Sequence, residues 1–178
     1  MREQDFQLTG IFGVNLETEL SESLHALASL LKQRYWRLGS AESCTGGGLA
    51  YACTALSGSS DWFEGSIVSY SNAMKINLLG VPVETLKAFG AVSHETAEAM
   101  VRGLQTALGV QAAVSITGIA GPTGGTANKP VGTVCFGFAM DKNTWTDIQY
   151  FHGERDEVRR QSIIYAVSQI IKYLRENK

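Results

Sequence analysis

Residues 112–126 read AAVSITGIAGPTGGT, a nearly continuous apolar run that continues into a glycine-rich loop. Such a run is typical of a strand covered on both faces, as in a parallel sheet between two layers of helices. A second segment of this kind lies upstream, where the strand pattern of residues 35–41 (YWRLGSA) leads into ESCTGGG at 42–48 and then into a helical pattern. Two strands that each end in a glycine-rich turn predict an α/β domain.

The rest of the chain alternates between helical and strand patterns. The predicted helices are 15–33, 49–56, 72–79, Pro82 to Gly90, 93–109, and 156 to 172 or beyond, with Asn15 capping the first and Asn72 the third. The predicted strands are 35–41, 63–71, 112–117, 131–140 and 146–151. The last two strands are joined around 141–143 as a hairpin, which places antiparallel pairing in the sheet. We therefore expect one three-layer α/β/α domain with a mixed, mostly parallel sheet over residues 15–178, after a flexible arm at 1–14.

The composition excludes several classes of protein. The chain has 178 residues, of which 44% are hydrophobic and 18% charged, so it can bury a core. Fifteen Lys and Arg against seventeen Asp and Glu give a formal net charge of -2 without a basic stripe, which argues against a nucleic-acid partner. No apolar stretch reaches the roughly 18–20 residues that span a bilayer, and the N-terminus does not resemble a secretory signal. A cytoplasmic location without a membrane partner follows.

The three cysteines, Cys44, Cys53 and Cys135, form no C-x-x-C pair and have no histidine at metal-ligand spacing. They predict buried thiols and neither a disulfide framework nor a zinc site. The chain also contains neither G-x-G-x-x-G nor G-x-x-x-x-G-K-[ST], which disfavours a Rossmann dehydrogenase or a P-loop ATPase.

Ser43 lies in the turn between the first predicted strand and the next helix. A hydroxyl there can face a pocket beside backbone amides that hold an oxyanion, which is the geometry of a nucleophile, or it can simply cap the helix. Cys44 is either a thiolate activated by the helix N-terminus or a small buried side chain. The glycines at 46–48 either let a phosphate approach the helix N-terminus or only make a tight turn.

A serine nucleophile requires a base, and the sequence places none of the three histidines for that task. Lys75 follows the strand pattern of 63–71 by four residues, and it would lie near Ser43 if the two strands are parallel neighbours. A desolvated lysine can serve as the general base, whereas a solvated surface lysine is the alternative. Tyr70 and Asn72 share that strand end as hydrogen-bonding groups, or as a core residue and a helix cap.

Two more cations lie near glycine-rich or turn sequence. Lys129 and Arg155 can each clamp a phosphate or solvate the surface. Because ligands of α/β sheets bind beyond the carboxyl ends of strands, we expect a phosphate-bearing ligand between the loops that follow Ala41 and Thr117.

Six segments together resemble the CinA C-terminal domain family, which is the nicotinamide-nucleotide amidase (PncC) family. They are AESCTGG (41–47), SYSNAMK (69–75), GAVSHETAEAM (90–100), SITGIAGPTGG (115–125), KPVGTV (129–134) and FHGERDEVRR (151–160). The resemblance extends from the first predicted helix to the C-terminus and leaves out residues 1–14.

This resemblance implies hydrolysis of the carboxamide of nicotinamide mononucleotide to nicotinate mononucleotide and ammonia, without a metal or other cofactor. On matching positions Ser43 is the nucleophile and Lys75 the base, with Tyr70 assisting. The positions matched to substrate binding are Thr45, Gly46, Gly47, Asn72, Thr117, Gly118, Gly121 and Arg155. The implied partner is a small-molecule nucleotide, and a homo-oligomer is left open.

Two alternatives to this activity remain. One is a non-catalytic paralogue of the family that binds a nucleotide or a protein, and the other is an amidase of a different small substrate. The presence of both Ser43 and Lys75 favours an enzyme, because a binding module has no need of the pair.

Overall fold

The apolar run at 112–117 forms the central strand of a five-stranded sheet in a computed structural model that describes residues 17–177. The strands are β1 (Leu38–Glu42), β2 (Phe63–Val68), β3 (Ala112–Gly118), β4 (Thr133–Met140) and β5 (Asn143–Tyr150). Their order across the sheet is β2-β1-β3-β4-β5. β1 pairs in parallel with β2 and β3, whereas β4 pairs antiparallel with β3 and β5. The predicted mixed sheet and late hairpin are confirmed.

Helices cover both faces of this sheet. They are α1 (Glu17–Gln33), α2 (Gly48–Thr54), α3 (Asn72–Leu79), α4 (Val83–Phe89), α5 (His94–Leu108) and α6 (Arg155–Glu176), with a 3₁₀ turn at Ser59–Asp61. On one face, Leu24 of α1 and Ile170 of α6 belong to the same buried cluster as Phe136 of β4. On the other face, Met100 of α5 packs with Ala113 of β3 in a second cluster. The predicted three layers are therefore present.

Several element ends differ from the sequence prediction. Asn72 is the first residue of α3 and not its cap, because the Ser71 hydroxyl accepts the Met74 N–H at 3.2 Å. β1 begins three residues later than expected, since Tyr35 has φ 55° and is 93% exposed in the turn after α1. The predicted cap Asn15 and the predicted arm at 1–14 lie outside the described residues.

The hairpin between β4 and β5 is tighter than the sequence predicts. Only Asp141 and Lys142 separate the two strands, so β5 starts at Asn143 and not at residue 146. Asp141 has φ 52°, in the left-handed region that two-residue hairpin turns use. β4 in turn begins at Thr133, two residues later than expected.

The parallel order β2-β1-β3 brings three strand ends to one edge of the sheet. The loops that follow these strands are tied together there, since the Ser43 N–H donates to the Ile116 carbonyl at 2.9 Å and the Ser69 N–H to the Glu42 carbonyl at 2.8 Å. The expectation that the two glycine-rich loops share an edge is confirmed. None of the helices within 17–177 combines the length and the apolar character needed to cross a membrane.

Candidate functional site

Ser43 and Lys75 meet at this edge. Lys75 lies in α3 with only 1% of its surface exposed, and Ser43 follows β1 directly with 8% exposed. The Lys75 Nζ atom lies 2.9 Å from Ser43 Oγ and 2.7 Å from the Ser69 carbonyl oxygen. The alternative of a solvated surface lysine is therefore wrong. The adjacency arises because β2, which leads into α3, is the parallel neighbour of β1.

Burial lowers the pKa of Lys75 below its ordinary value of 10.5, and the neighbouring Cys44 only partly opposes this shift. The physical cause is that a charged ammonium loses hydration in the interior. A neutral amine carries two N–H groups and one lone pair. Because the Ser69 carbonyl must accept one N–H, the lone pair can accept the hydroxyl proton of Ser43. The pair is thus suited to activating an oxygen nucleophile.

A cavity of about 270 Å³ opens onto this pair. It is lined by residues from the ends of β1 and β3, from the segment after β2, from the connection between α4 and α5, and from the start of α6. Six of the predicted site residues line it: Ser43, Tyr70, Lys75, Thr117, Gly118 and Arg155.

Tyr70 and Arg155 form one side of the cavity. Tyr70 is 64% exposed, so the alternative of a core residue is wrong. Arg155 donates from Nη1 to the Gly121 carbonyl at 2.9 Å and from Nη2 to the Tyr70 hydroxyl oxygen at 3.4 Å. On the other side, the Thr117 hydroxyl donates to the Ala91 carbonyl at 2.8 Å. The Thr117 proton is therefore already used within the protein.

The other predicted binding residues do not line this cavity. Asn72 is exposed at the start of α3, and Thr45 is fully buried. The Gly46 N–H donates to the Ser43 carbonyl at 3.1 Å, whereas Gly47 and Gly121 contribute main-chain groups that hold other protein groups. These residues shape the loops around the cavity without facing it.

Glu42 is a residue of the site that the sequence analysis missed. Its carboxylate is fully buried and accepts the N–H groups of Gly47, Leu49 and Ala50 at 3.0, 3.1 and 2.9 Å. The hydroxyl of Ser40 also donates to it, at 3.2 Å. The helix N-terminus therefore already holds an anion, and the expectation that its free amides hold a phosphate is corrected. An acidic residue placed just before a glycine-rich helix start is the signal that could have indicated this.

The three cysteines are buried free thiols, as predicted. Burial raises the pKa of Cys44 to about 12 and that of Cys135 to about 11, and it raises the pKa of Cys53 as well. A thiol that stays protonated near neutral pH is a poor nucleophile, so an activated Cys44 thiolate is disfavoured. Within 17–177, no group of three or more His, Cys, Asp or Glu side chains is placed to hold a metal ion.

The fold and the cavity define an α/β protein with a buried serine–lysine pair at the carboxyl edge of its sheet. The chain belongs to the CinA C-terminal domain family, whose model matches residues 20–174. The resemblance expected from the sequence is thereby confirmed.

Three similar proteins illustrate the family. The nicotinamide-nucleotide amidohydrolase PncC of Enterobacter agglomerans is 44% identical over 162 residues, covering 90% of this chain and 99% of that protein. PncC of Pseudomonas putida is 48% identical over 132 residues, covering 74% and 82%. The crystal structure of competence damage-inducible protein A (ComA) from Klebsiella pneumoniae superposes with a TM-score of 0.86 at 33% identity, covering 89% of this chain and 99% of that one.

Longer proteins also carry this domain. A CinA-like protein of Nostoc punctiforme is 48% identical over 157 residues, which are 88% of this chain but 36% of that protein. The chain thus spans almost the full length of the PncC protein from Enterobacter agglomerans and about a third of the CinA-like one.

Proposed function

We propose that this chain hydrolyses the carboxamide of nicotinamide mononucleotide to nicotinate mononucleotide and ammonia through an acyl-enzyme on Ser43. The observation that carries the proposal is the 2.9 Å contact between Lys75 Nζ and Ser43 Oγ at a cavity wall, with the ammonium form of the lysine disfavoured by burial. Relatives named nicotinamide-nucleotide amidohydrolase at 43–48% identity support the substrate class.

In the first step the Ser43 hydroxyl oxygen attacks the amide carbon while its proton passes to the lone pair of Lys75 Nζ. The bond that forms is Oγ–C, and the amide oxygen takes up the negative charge. When this intermediate collapses, the C–N bond breaks and the nitrogen receives the proton from Lys75 Nζ. Ammonia leaves, and the acyl group stays on Ser43 as an ester.

The N–H groups of Cys44 and Thr45 are the candidates for holding the oxyanion. Neither has an oxygen acceptor among residues 17–177, and both lie within hydrogen-bonding reach of the Cys44 thiol sulfur, which is a weak acceptor. The N–H groups at 46–50 of the same turn all donate to oxygen. Amides fixed in advance next to a developing negative charge stabilise the transition state strongly. Glu42 fixes them indirectly, because its carboxylate holds the end of the same turn.

The second step repeats the chemistry with water. Lys75 Nζ accepts a proton from the water as its oxygen attacks the ester carbon, and the C–Oγ bond breaks. Ser43 recovers its proton from Lys75, and the new carboxyl group loses the second water proton to solvent as nicotinate mononucleotide is released. The Ser69 carbonyl keeps one amine N–H engaged at 2.7 Å, so in its neutral form Lys75 can direct its lone pair at Ser43 at the start of each step.

Tyr70 acts at the mouth of the cavity in this proposal. Tyr70 lines the cavity and remains largely exposed, while its hydroxyl oxygen accepts from Arg155. The pyridinium ring of the substrate is a cation, and an aromatic face attracts such a ring. Tyr70 therefore serves as a surface for the substrate ring, and its hydroxyl keeps its own O–H to assist the reaction.

The test is ammonia release by the purified protein from nicotinamide mononucleotide, with NAD and free nicotinamide as comparison substrates. We expect release from the mononucleotide. A panel of other small carboxamides separates an amidase of different specificity, and ammonia from one of them alone would overturn the proposed substrate. No release from any of the amides would favour the non-catalytic paralogue.

A further inference from the structure

A second cavity lies beside the first at the same edge of the sheet. It encloses about 350 Å³, and Val92 lines both cavities. The connection between α4 and α5 separates them, since Ala91 faces the first cavity and Phe89 the second. The far wall of the second cavity is contributed by Ile148 and Tyr150 of β5.

Lys129 brings a cation to this second cavity. Its backbone is fixed, because its N–H donates to Thr126 Oγ1 at 3.1 Å and its carbonyl accepts the Thr126 N–H at 2.8 Å. Its Nζ atom donates to the Phe89 carbonyl at 2.9 Å, and no carboxylate within 17–177 lies within 4.0 Å of it. Lys129 is half-buried as a residue, and its ammonium has two unused N–H groups and no counter-ion, which favours an anionic ligand.

Other charges at this cavity both favour and oppose the binding of an anion. α5 begins here, and the N–H groups of His94 and Glu95 in its first turn have no acceptor among the described residues, so the positive end of the helix adds to Lys129. The Glu95 carboxylate opposes the effect of these positive charges. Both charges act on the buried Cys135 thiol, whose pKa Lys129 lowers and Glu95 raises.

The sizes of the two cavities and the chemistry of the residues that line them fit a nucleotide that occupies both. The carboxamide and the phosphate are at opposite ends of nicotinamide mononucleotide, separated by the pyridine ring and the ribose. The first cavity alone is smaller than the roughly 300–1,000 Å³ of typical small-molecule sites, whereas both cavities together fall within that range. Arg155, the exposed cation of the first cavity, is held there by its donation to the Gly121 carbonyl and the Tyr70 hydroxyl, whereas Lys129 is the lysine that lines the second cavity.

We propose that the second cavity binds the phosphate of the substrate, with Lys129 Nζ as its cation, while the carboxamide enters the first cavity at Ser43. This inference rests on the proposed function for the identity of the nucleotide. It makes Lys129 the residue that distinguishes a nucleotide from the corresponding nucleoside.

The experiment compares nicotinamide mononucleotide with nicotinamide riboside, which lacks the phosphate, in the wild type and in Lys129→Met. We expect Lys129→Met to raise KM for the mononucleotide about tenfold or more, with kcat within about twofold and with kcat/KM for the riboside unchanged. Lys129→Arg should restore a KM near that of the wild type, and Glu95→Gln should lower it. Lys87→Met, which removes an exposed lysine of α4, is the matched control and should behave as the wild type.

An equal loss with both substrates, or an unchanged KM for the mononucleotide, would overturn the assignment. A wild type that releases no ammonia from the mononucleotide would instead refute the proposed function. In that case calorimetric titration with ribose 5-phosphate decides the phosphate site by itself. Binding to the wild type that weakens about tenfold in Lys129→Met supports the site, and absent or equal binding rejects it.

Discussion

Lys75 is the residue on which both the stability and the chemistry of the site depend. Its ammonium form would be buried beside a carbonyl and a hydroxyl, without a carboxylate to pair with among residues 17–177. Burial therefore lowers its pKa, and the folded protein releases this proton more readily than the unfolded chain does.

This shift predicts a pH-dependent stability. At pH values between the lowered pKa of Lys75 in the folded protein and its value of 10.5 in the unfolded chain, Lys75 is protonated only in the unfolded chain. The contribution of Lys75 to the free energy of unfolding therefore rises as pH rises through that window. Urea unfolding of the wild type and of Lys75→Met at several pH values from neutral to 10.5 measures this effect. We expect the wild type to gain stability relative to Lys75→Met toward alkaline pH. A difference that does not change with pH, or that falls, would show that the amine is not desolvated.

Glu42 is expected to support both the stability of the protein and its turnover. In Glu42→Gln the side-chain NH₂ group must face one of the amide donors now held by the carboxylate, so the turn shifts and charge-assisted bonds worth about 1.5–3 kcal/mol each are weakened. We expect a lower melting temperature and a kcat reduced about tenfold to a hundredfold, because small displacements of the oxyanion donors are costly. The measurements are thermal unfolding and steady-state kinetics at a temperature where the variant is folded.

The matched control is Ser40→Ala, which removes a hydroxyl donor to the same carboxylate and leaves the three amides in place. Its kcat should stay within about twofold of the wild type. If Glu42→Gln loses stability but keeps kcat, the carboxylate only stabilises the helix and does not position the turn.

At the scale of elements, α3 must lie at a fixed depth for Lys75 to reach Ser43. That depth is set by its contact with α5, where Gly103 packs directly on the main chain of Leu79 at the end of α3. A Cβ atom at Gly103 would overlap the Leu79 carbonyl, so the two helices could not keep this separation.

Gly103→Ala should therefore displace α3. We expect a loss of stability of about 1–3 kcal/mol, as for other overpacked sites, together with a clear fall in kcat at temperatures where the protein is folded. Val167→Ala, in the core on the opposite face of the sheet, serves as the control that loses stability and keeps kcat. Equal kcat values for the two variants would mean that the α3–α5 contact does not position Lys75.

The sequence predicted most elements because hydrophobic periodicity and caps are local signals. Ser93 caps α5 and Gly109 follows it, as their residue types suggest. The ends of β1 and β5 were misplaced because they depend on the turn after α1 and on the two-residue hairpin, where tertiary contacts decide whether an extended residue joins the sheet.

At the scale of the whole molecule, the position of the site follows from strand order. The sequence indicated that Lys75 would approach Ser43 only if β1 and β2 were parallel neighbours, and the structure has that pairing. Burial of Lys75 could not be predicted, because it depends on how distant parts of the chain pack around the site, where Ala91 and Arg155 line the same cavity. The acidic residue before the glycine-rich helix start was a signal for the Glu42 contact, but its three amide partners follow only from the folded turn.

Ser43 and Lys75 act as one catalytic unit in the proposed mechanism. The most direct measurement is the rate of ammonia release from nicotinamide mononucleotide by Ser43→Ala, Lys75→Ala and the double variant, each shown to be folded by circular dichroism. We expect each single variant to lose at least about a thousandfold in kcat, with the double variant little worse than either, because residues that act as a unit are strongly non-additive. Ammonia release near the wild-type rate by folded Ser43→Ala would contradict the covalent mechanism and leave a directly activated water as the nucleophile.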